Sequence, residues 1–495
     1  MPCGIWEMPM IPQWTNDIMT SFQTRRETGR TALLTVTAAA VLGLCLCMVT
    51  DRAVISCLIA FIPLALLVLA SSFEKKRNAF LVLFVMNYFV PVMSHYLFNM
   101  PLGLIMDMLI GFNFLVMICN LLTGRVRLDN VSWDVIFAVG VWLIYCFLEV
   151  FNPRMRSVDA WMKSIRNMAL YFFFVVLIVQ ISIESFHDMK TVMFVWSLLV
   201  VLAIIKAACQ KYIGFTPGDE YFLNVMDGKR THIIGYGTRY FSIFSDAANF
   251  GGSMGMSFVV FFVTGLHTKN GLYRGYYWTV AALACYGMFI SGTRSALVIP
   301  AAGVMTYLIL IKDFRKMIPV GLFFGLAVFI LACTDIGQGN TTIRRARTVF
   351  HKDEDQSYII RKQNRETLKT YMKELPFGNS LGMSAGRGQK YGDYSPISDI
   401  PTDSWFVQLW VETGVIGQCI YFALMIFLFI KAGLTVWNHI DDYEIKGYAA
   451  AMLSGVAGLF VMSSNNEVFT QFPNGVLVYT CFGLIFICPQ LQKTK

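Results

Sequence analysis

A chain of 495 residues in which 56% are hydrophobic and only 14% charged is too apolar for an ordinary globular domain, where about 25% of residues are charged. Mean hydropathy is +0.57, and apolar runs of the length a bilayer core demands, about 18–22 residues, recur along most of the sequence. A soluble enzyme is excluded, and the formal net charge of +9 leaves nucleic acid, anionic lipid or an anionic substrate to account for it.

Residues 1–30 carry Trp6, Trp14, Arg25, Arg26 and Arg30 but no long apolar run, and read as a tail. The run 31–50 is too long for a signal-peptide core, has no A-x-A-like cleavage site close behind it, and reads as the first permanent span. Further spans are expected at 53–71, 79–98, 102–121, 132–151, 167–183, 191–212, 250–266, 276–290, 295–312, 317–333, 405–431, 446–464 and 474–488. The expected fold is therefore all-α and polytopic, with about fourteen transmembrane helices. It divides into a seven-span N-terminal bundle (31–212), a loop (213–249), four spans (250–333), a large basic loop (334–404) between spans 11 and 12, three closing spans (405–488) and a short tail (489–495).

Lys and Arg in short loops favour the cytoplasmic side. Arg25, Arg26 and Arg30, Lys75 to Arg77, Arg125 and Arg127, Lys269 and Arg274, Lys312 to Lys316, and Lys493 and Lys495 fall on one side, so both termini are expected in the cytoplasm. Three segments on the opposite face run against this bias. These are 152–166, then 213–249 with Lys229, Arg230 and Arg239, and 334–404 with Arg344, Arg345, Arg347, Arg361, Arg365, Arg387 and Lys390 among its cations. They read either as solvated loops or as a basic bowl that attracts an anionic substrate. Nucleic acid is not expected, because the aromatics sit in the spans rather than between these cations. The twelve cysteines are scattered mostly through apolar runs and the six histidines lie far apart. Neither forms a metal-ligand pattern, so no metal and no cofactor is expected.

Three spans entering from that outer side have polar mouths. "GTRYFSIFSDAANFGG" (Gly237 to Gly252) precedes span 8, "SGTRSALV" (Ser291 to Val298) opens span 10, and "PTDSWFVQLW" (Pro401 to Trp410) opens span 12. Ser245 and Asp246, Ser291 and Thr293, and Thr402, Asp403 and Ser404 are good helix-capping residues. Helix N-termini also attract anions. Converging, these mouths with Arg239 and Arg294 would hold a phosphate through the bidentate forks of arginine.

In this order the stretches resemble the O-antigen ligase and O-antigen/exopolysaccharide polymerase superfamily of bacterial inner-membrane glycosyltransferases. "RYFSIFSDAANFGG" is similar to its Arg, Gly/Ser, Phe, Asp, Pro-Asn, Phe-Ala stretch, and "SGTRSALV" to its Ser-Gly-Ser-Arg-Gly-Ala-Leu. "DQSYIIRKQNRETLKTYMKELPFGNSLG" is similar to its Ser-x-x-x-Arg, amphipathic helix and Pro-x-x-Gly-x-Gly. "DSWFVQLWVETGVIG" is similar to its His-Asn-x-Tyr-Leu-Gln-x-x-x-Glu-x-Gly-x-x-Gly. The likeness covers about residues 235–420; residues 1–212 match only as apolar spans.

The resemblance implies a glycan donor on undecaprenyl pyrophosphate, used at the periplasmic face of the inner membrane, and a glycan acceptor, with membrane lipid around both. Polymerases of the family join repeat units, and ligases move the glycan to lipid A–core of lipopolysaccharide. A chain-length regulator and a flippase of the same pathway are candidate partners. Arg239 and Arg361 match the family's essential arginines, with Ser357 as the loop serine, and both would bind pyrophosphate; Arg294, Arg347 and Arg365 are further candidates. Counted back from Glu412 and Gly414, the ligases' His falls on Asp403 and their Asn on Ser404. This departure favours polymerase over ligase.

Asp403 is expected either as general base, since a carboxylate is a weaker base than imidazole but available at neutral pH, or as a cap or partner of Arg361. A metal-independent transfer with inversion at the anomeric centre follows by analogy. Asp107, Asp134, Glu149 and Glu467 are the few acids in or beside spans, which keeps a flippase or transporter as a distant alternative. "PFGNSLGMSAGRGQKYG" (Pro376 to Gly392) reads as a mobile lid, and Arg361 to Leu375 as an amphipathic surface helix.

Overall fold

The structure is a computed structural model that describes residues 70–96, 103–124, 128–234, 237–312 and 356–493, with isolated positions between 313 and 355. The expected spans 31–49 and most of 53–71 and 317–333 lie outside the described residues, as does Arg347. Within them the architecture is all-helical apart from one two-stranded antiparallel ribbon that pairs Ile233 with Thr238 and Ile234 with Gly237. The helices used below are α1 (Lys76–Tyr96), α2 (Gly103–Leu122), α3 (Trp133–Leu148), α4 (Val158–Ile165), α5 (Tyr171–Ser182), α6 (Phe186–Tyr212) and α7 (Pro217–Asn224). They continue as α8 (Ala247–His267), α9 (Gly271–Ile290), α10 (Val298–Leu310), α11 (Gln356–Tyr371), α12 (Trp405–Asn438), α13 (Tyr443–Met462) and α14 (Asn474–Leu491).

Eight of the described helical stretches are long and apolar enough to cross a bilayer, among them Val158–Ser182, in which a π-helical turn (Arg166–Leu170) joins α4 to α5. The centre is built on α8, which packs against α9 and α13, while α14 packs against α5. Gly252 on α8 lies against Leu459 and Met462 of α13, Gly455 on α13 against Val260 and Met256 of α8, and Gly255 and Gly458 against Ile299 of α10, so a larger residue would crowd each contact, the usual way membrane helices approach closely. The α8 and α14 mouths are tied by polar groups: Asn474 Nδ2 donates to Asn249 Oδ1 at 2.6 Å, and Asn249 Nδ2 donates to the Phe472 carbonyl at 2.6 Å.

The loop below α11 behaves differently from its glycine-rich sequence. Gly378 to Ser384 are buried and pinned, not a lid: Asn379 donates from its backbone to the Val411 carbonyl at 2.7 Å, and Ile416 donates to the Pro376 carbonyl at 3.2 Å. These bonds satisfy backbone groups freed by a break inside α12, where Gly414 adopts φ 67° and ψ −173°. Gly378, at φ +79°, faces Gly414 back to back; a Cβ on Gly414 would lie 2.0 Å from the Pro376 carbonyl oxygen. The amphipathic segment is helical as expected and lies on protein, one of the two surfaces expected for it: Leu368 and Met372 are buried with Ile397 and Val411.

Candidate active site

The three mouths expected from the sequence are joined in space. Asp246 caps α8, its Oδ1 accepting from the backbone of Ala248 and Asn249 at 2.8 and 2.9 Å. Thr293 Oγ1 donates to the Ala247 carbonyl at 2.9 Å, which brings the "SGTRSALV" turn onto the first residue of α8. Ser404 caps α12 by accepting from Val407 at 3.2 Å, and the Trp405 backbone donates to Ser463 and Asn466. Asn466 in turn donates to Ser295 Oγ. The connector between α13 and α14, residues 463–473, is therefore the hub of the site. Sequence reading singled out only its Glu467, because nothing in "SSNNEVFTQFPN" has helical or strand periodicity.

Arg239 joins the same mouths through Thr293. Its backbone donates to the His232 carbonyl at 2.8 Å, Nη1 to the Thr231 carbonyl at 3.1 Å and Nη2 to Thr293 Oγ1 at 3.1 Å, while the buried Nε has no partner among the described residues. Burial weighs most against its charge; Asp246 favours it, and the nearby charges of Arg294 and Arg361 oppose it, holding its pKa below the usual arginine range. Three guanidinium groups are thus gathered beside the N-terminus of α8. Arg294 opens the 3-10 turn that leads into α10. Arg361 stands half-buried on α11 with no ion-pair partner among the described residues. Arg365, more exposed on the same helix, donates to the Ser464 carbonyl at 3.2 Å. Ser357 belongs to the first turn of α11, but its side chain lies outside the described residues.

Asp403 does not cap α12; Ser404 does. Asp403 sits at φ +56°, the centre of a γ-turn closed by the Ser404 backbone donating to the Thr402 carbonyl at 2.7 Å. A non-glycine residue there is strained by about 1–3 kcal/mol, a cost that structures tolerate mainly at functional positions. Its Oδ2 accepts from Asn364 Nδ2 at 3.2 Å, one helical turn from Arg361, and it forms no ion pair with Arg361. Beyond Thr402, whose hydroxyl donates to Glu467, lies a second carboxylate. Burial raises the pKa of Glu467; Arg387 and Thr402 act against this, and Glu412 and Asp403 add to it.

Glu412, fully buried in α12, accepts from Ser164 Oγ at 3.0 Å, Gly382 N at 2.9 Å, Gln408 Nε2 at 3.1 Å and the Ser384 hydroxyl. It is the peg that fastens the loop to α4 and α12. The other acids flagged from sequence have structural partners: Asp107 pairs with Arg166 at 3.0 Å, Asp134 with Lys431, and Glu149 accepts from Asn152 at 2.8 Å. No cluster of His, Cys, Asp and Glu suited to a metal occurs among the described residues.

His232 braces the same mouth. Its Nε2 accepts from the Ala247 backbone at 3.2 Å, so the proton sits on Nδ1, which donates to the Gly228 carbonyl at 2.8 Å. Burial lowers its pKa, ahead of opposing effects of Gly228 and Asp246 and a smaller lowering by Arg239. A histidine whose pKa is depressed on folding binds its proton more readily in the unfolded chain. Its contribution to stability is therefore complete above the ordinary value of 6.5 and lost as pH falls below it toward the folded value. The midpoint of thermal unfolding is expected to drop between pH 7 and 5, and to drop less in His232→Gln; equal declines would show that other groups carry the effect.

Comparison with known proteins bears on this geometry. Residues 279–422 match the family model described as O-antigen ligase, a stretch that contains Arg294, Arg361, Asp403 and Glu412 but not Arg239. The chain is also 21% identical over 440 residues to the teichuronic acid biosynthesis protein TuaE of Bacillus subtilis (strain 168), covering 86% of this chain and 88% of that protein. Both findings support the resemblance to the O-antigen ligase/polymerase superfamily that the motifs carry.

Proposed function

We propose that the protein is a glycosyltransferase that joins oligosaccharide repeat units carried on undecaprenyl pyrophosphate, at the periplasmic face of the inner membrane. The observation that carries this reading is Arg239, held near the α8 N-terminus through Thr293 and within reach of the charges of Arg294, Arg361 and Asp246. Negative charge grows on the departing pyrophosphate as the glycosidic bond breaks. Fixed cations and a helix N-terminus that meet this charge stabilise the transition state more than the ground state. The cations belong to the chain itself, in keeping with a metal-independent, inverting displacement. Asp403, beside Arg361 through Asn364, takes the proton of the acceptor hydroxyl. The Bacillus subtilis relative is named for teichuronic acid biosynthesis, in keeping with a role in polysaccharide biosynthesis.

Ligation of a finished glycan to lipid A–core or another acceptor uses the same donor site and is the second reading. A deletion strain complemented with wild type or Arg361→Ala distinguishes them. For a polymerase, wild type restores long chains and Arg361→Ala leaves single repeat units on the acceptor. For a ligase, the variant leaves long chains on the carrier lipid. Repeat units trapped on the cytoplasmic face would end both readings in favour of a flippase.

A further inference from the structure

A cavity of about 480 Å³ opens beside the arginine cluster, between α4, the loop 382–391 and the connector 467–471. Its volume falls in the range of small-ligand sites, about 300–1,000 Å³. Its wall includes Lys163, Arg387, Lys390, Gln408, Glu467 and Gln471, none of which the phosphate site uses. Two of them connect it to that site. Gln471 Oε1 accepts from Ser245 Oγ at 3.4 Å, next to Asp246, and Glu467 accepts from Thr402, next to Asp403.

The donors and acceptors of this wall are incompletely used. Arg387 Nη2 stands 3.6 Å from Glu412 and 3.7 Å from Glu467, near enough to balance charge but too far for hydrogen bonds. Lys390 has no hydrogen-bond or ion-pair partner among the described residues, and Tyr391, whose hydroxyl accepts from Lys163 at 3.0 Å, brings an aromatic ring to the rim. A lipid tail here would strip water from all of these groups without compensation. Vicinal hydroxyls of a sugar ring, each both donor and acceptor, would satisfy them.

We propose that this cavity binds the acceptor saccharide, with Arg387, Lys390, Gln471 and Glu467 holding its hydroxyls and its attacking hydroxyl directed toward Asp403. The assignment rests on the glycosyltransferase reading above. The acceptor oxygen bonds to the anomeric carbon of the donor, the bond from that carbon to pyrophosphate breaks with its electron pair moving to the phosphate oxygen, and the hydroxyl proton passes to the Asp403 carboxylate.

The test uses the full chain in lipid nanodiscs and two probes titrated separately. One is the repeat-unit oligosaccharide released by mild acid from the producing strain's surface polysaccharide; the other is farnesyl pyrophosphate. Lys390→Ala and Gln471→Ala are expected to weaken oligosaccharide binding about tenfold or more, the scale of one lost hydrogen bond to a charged or well-placed group, with farnesyl pyrophosphate affinity unchanged. Arg361→Ala is expected to do the reverse. Unchanged oligosaccharide affinity in both cavity variants, equal losses for both probes, or no oligosaccharide binding by wild type would each overturn the assignment. If oligosaccharide binds in a Lys390- and Gln471-dependent way while farnesyl pyrophosphate does not bind wild type, the phosphate-site reading falls and the cavity assignment stands.

Discussion

Asp403→Asn is expected to lower the rate of glycan transfer by about 10²–10⁴-fold, the usual contribution of a positioned general base, while the protein keeps its melting temperature. The change is chosen because it isolates charge. Asparagine tolerates the left-handed backbone that Asp403 occupies at φ +56°, and its carbonyl still accepts from Asn364, which reaches the present carboxylate at 3.2 Å. Ser404, the residue that caps α12, is untouched. Lost turnover with unaltered acceptor and donor affinity places the missing group in the transition state. Turnover equal to wild type would leave Asp403 as no more than the pivot of a turn.

The largest structural effect is expected at Gly414. An alanine there meets two penalties at once: φ 67° with ψ −173° is backbone that only glycine adopts readily, and its Cβ would lie 2.0 Å from the Pro376 carbonyl oxygen and 2.4 Å from Gly378 N. Neither contact is with a flexible side chain that can turn away, so loop and helix must separate. Separation would free the Val411 carbonyl and the Ile416 amide, each now bonded to the loop, and expose the Glu412 peg. A loss of about 4 kcal/mol or more is expected, in the class of overpacking combined with unsatisfied buried groups. Detergent-solubilised Gly414→Ala should melt well below wild type or fail to accumulate. Gly433→Ala, where a Cβ meets only Leu310 at 3.8 Å, is the matched control in the same helix and should be near neutral.

Local chemistry made part of this molecule legible in its sequence. Apolar length marks the helices, and hydroxyl and carboxylate caps mark their mouths; Asp246 and Ser404 do cap α8 and α12. The nearness of Arg239, Arg294 and Arg361 was readable only as a condition, since 122 positions separate the first from the last in a chain whose topology had to be guessed. Three structural roles had no local signal. The break at Gly414 looks in sequence like an ordinary glycine in an apolar run, because its cause is the loop backbone some 36 residues earlier. Gly378, Gly382 and Gly388 serve close approach, whereas Gly386 and Gly392 face open space. Glu412 matches a motif position in the sequence, but its structural work shows only once Ser164, Gly382 and Ser384 are seen around it.

The break in α12 also separates two mechanical tasks. An unbroken helix of 34 residues would reach about 51 Å, far more than the hydrocarbon thickness of about 30 Å. The portion before Gly414 is instead clamped to the loop through Glu412 and Asn379, with Pro376 holding Ile416 just past the break, and it carries the mouth that presents Asp403 and Ser404. The portion after it is left to match the bilayer, and helices meet changes in bilayer thickness by tilting. A tilt of the portion beyond these bonds would be taken up near the glycine and would leave the Asp403 turn in place. Transfer is therefore expected to vary little between bilayers of different thickness.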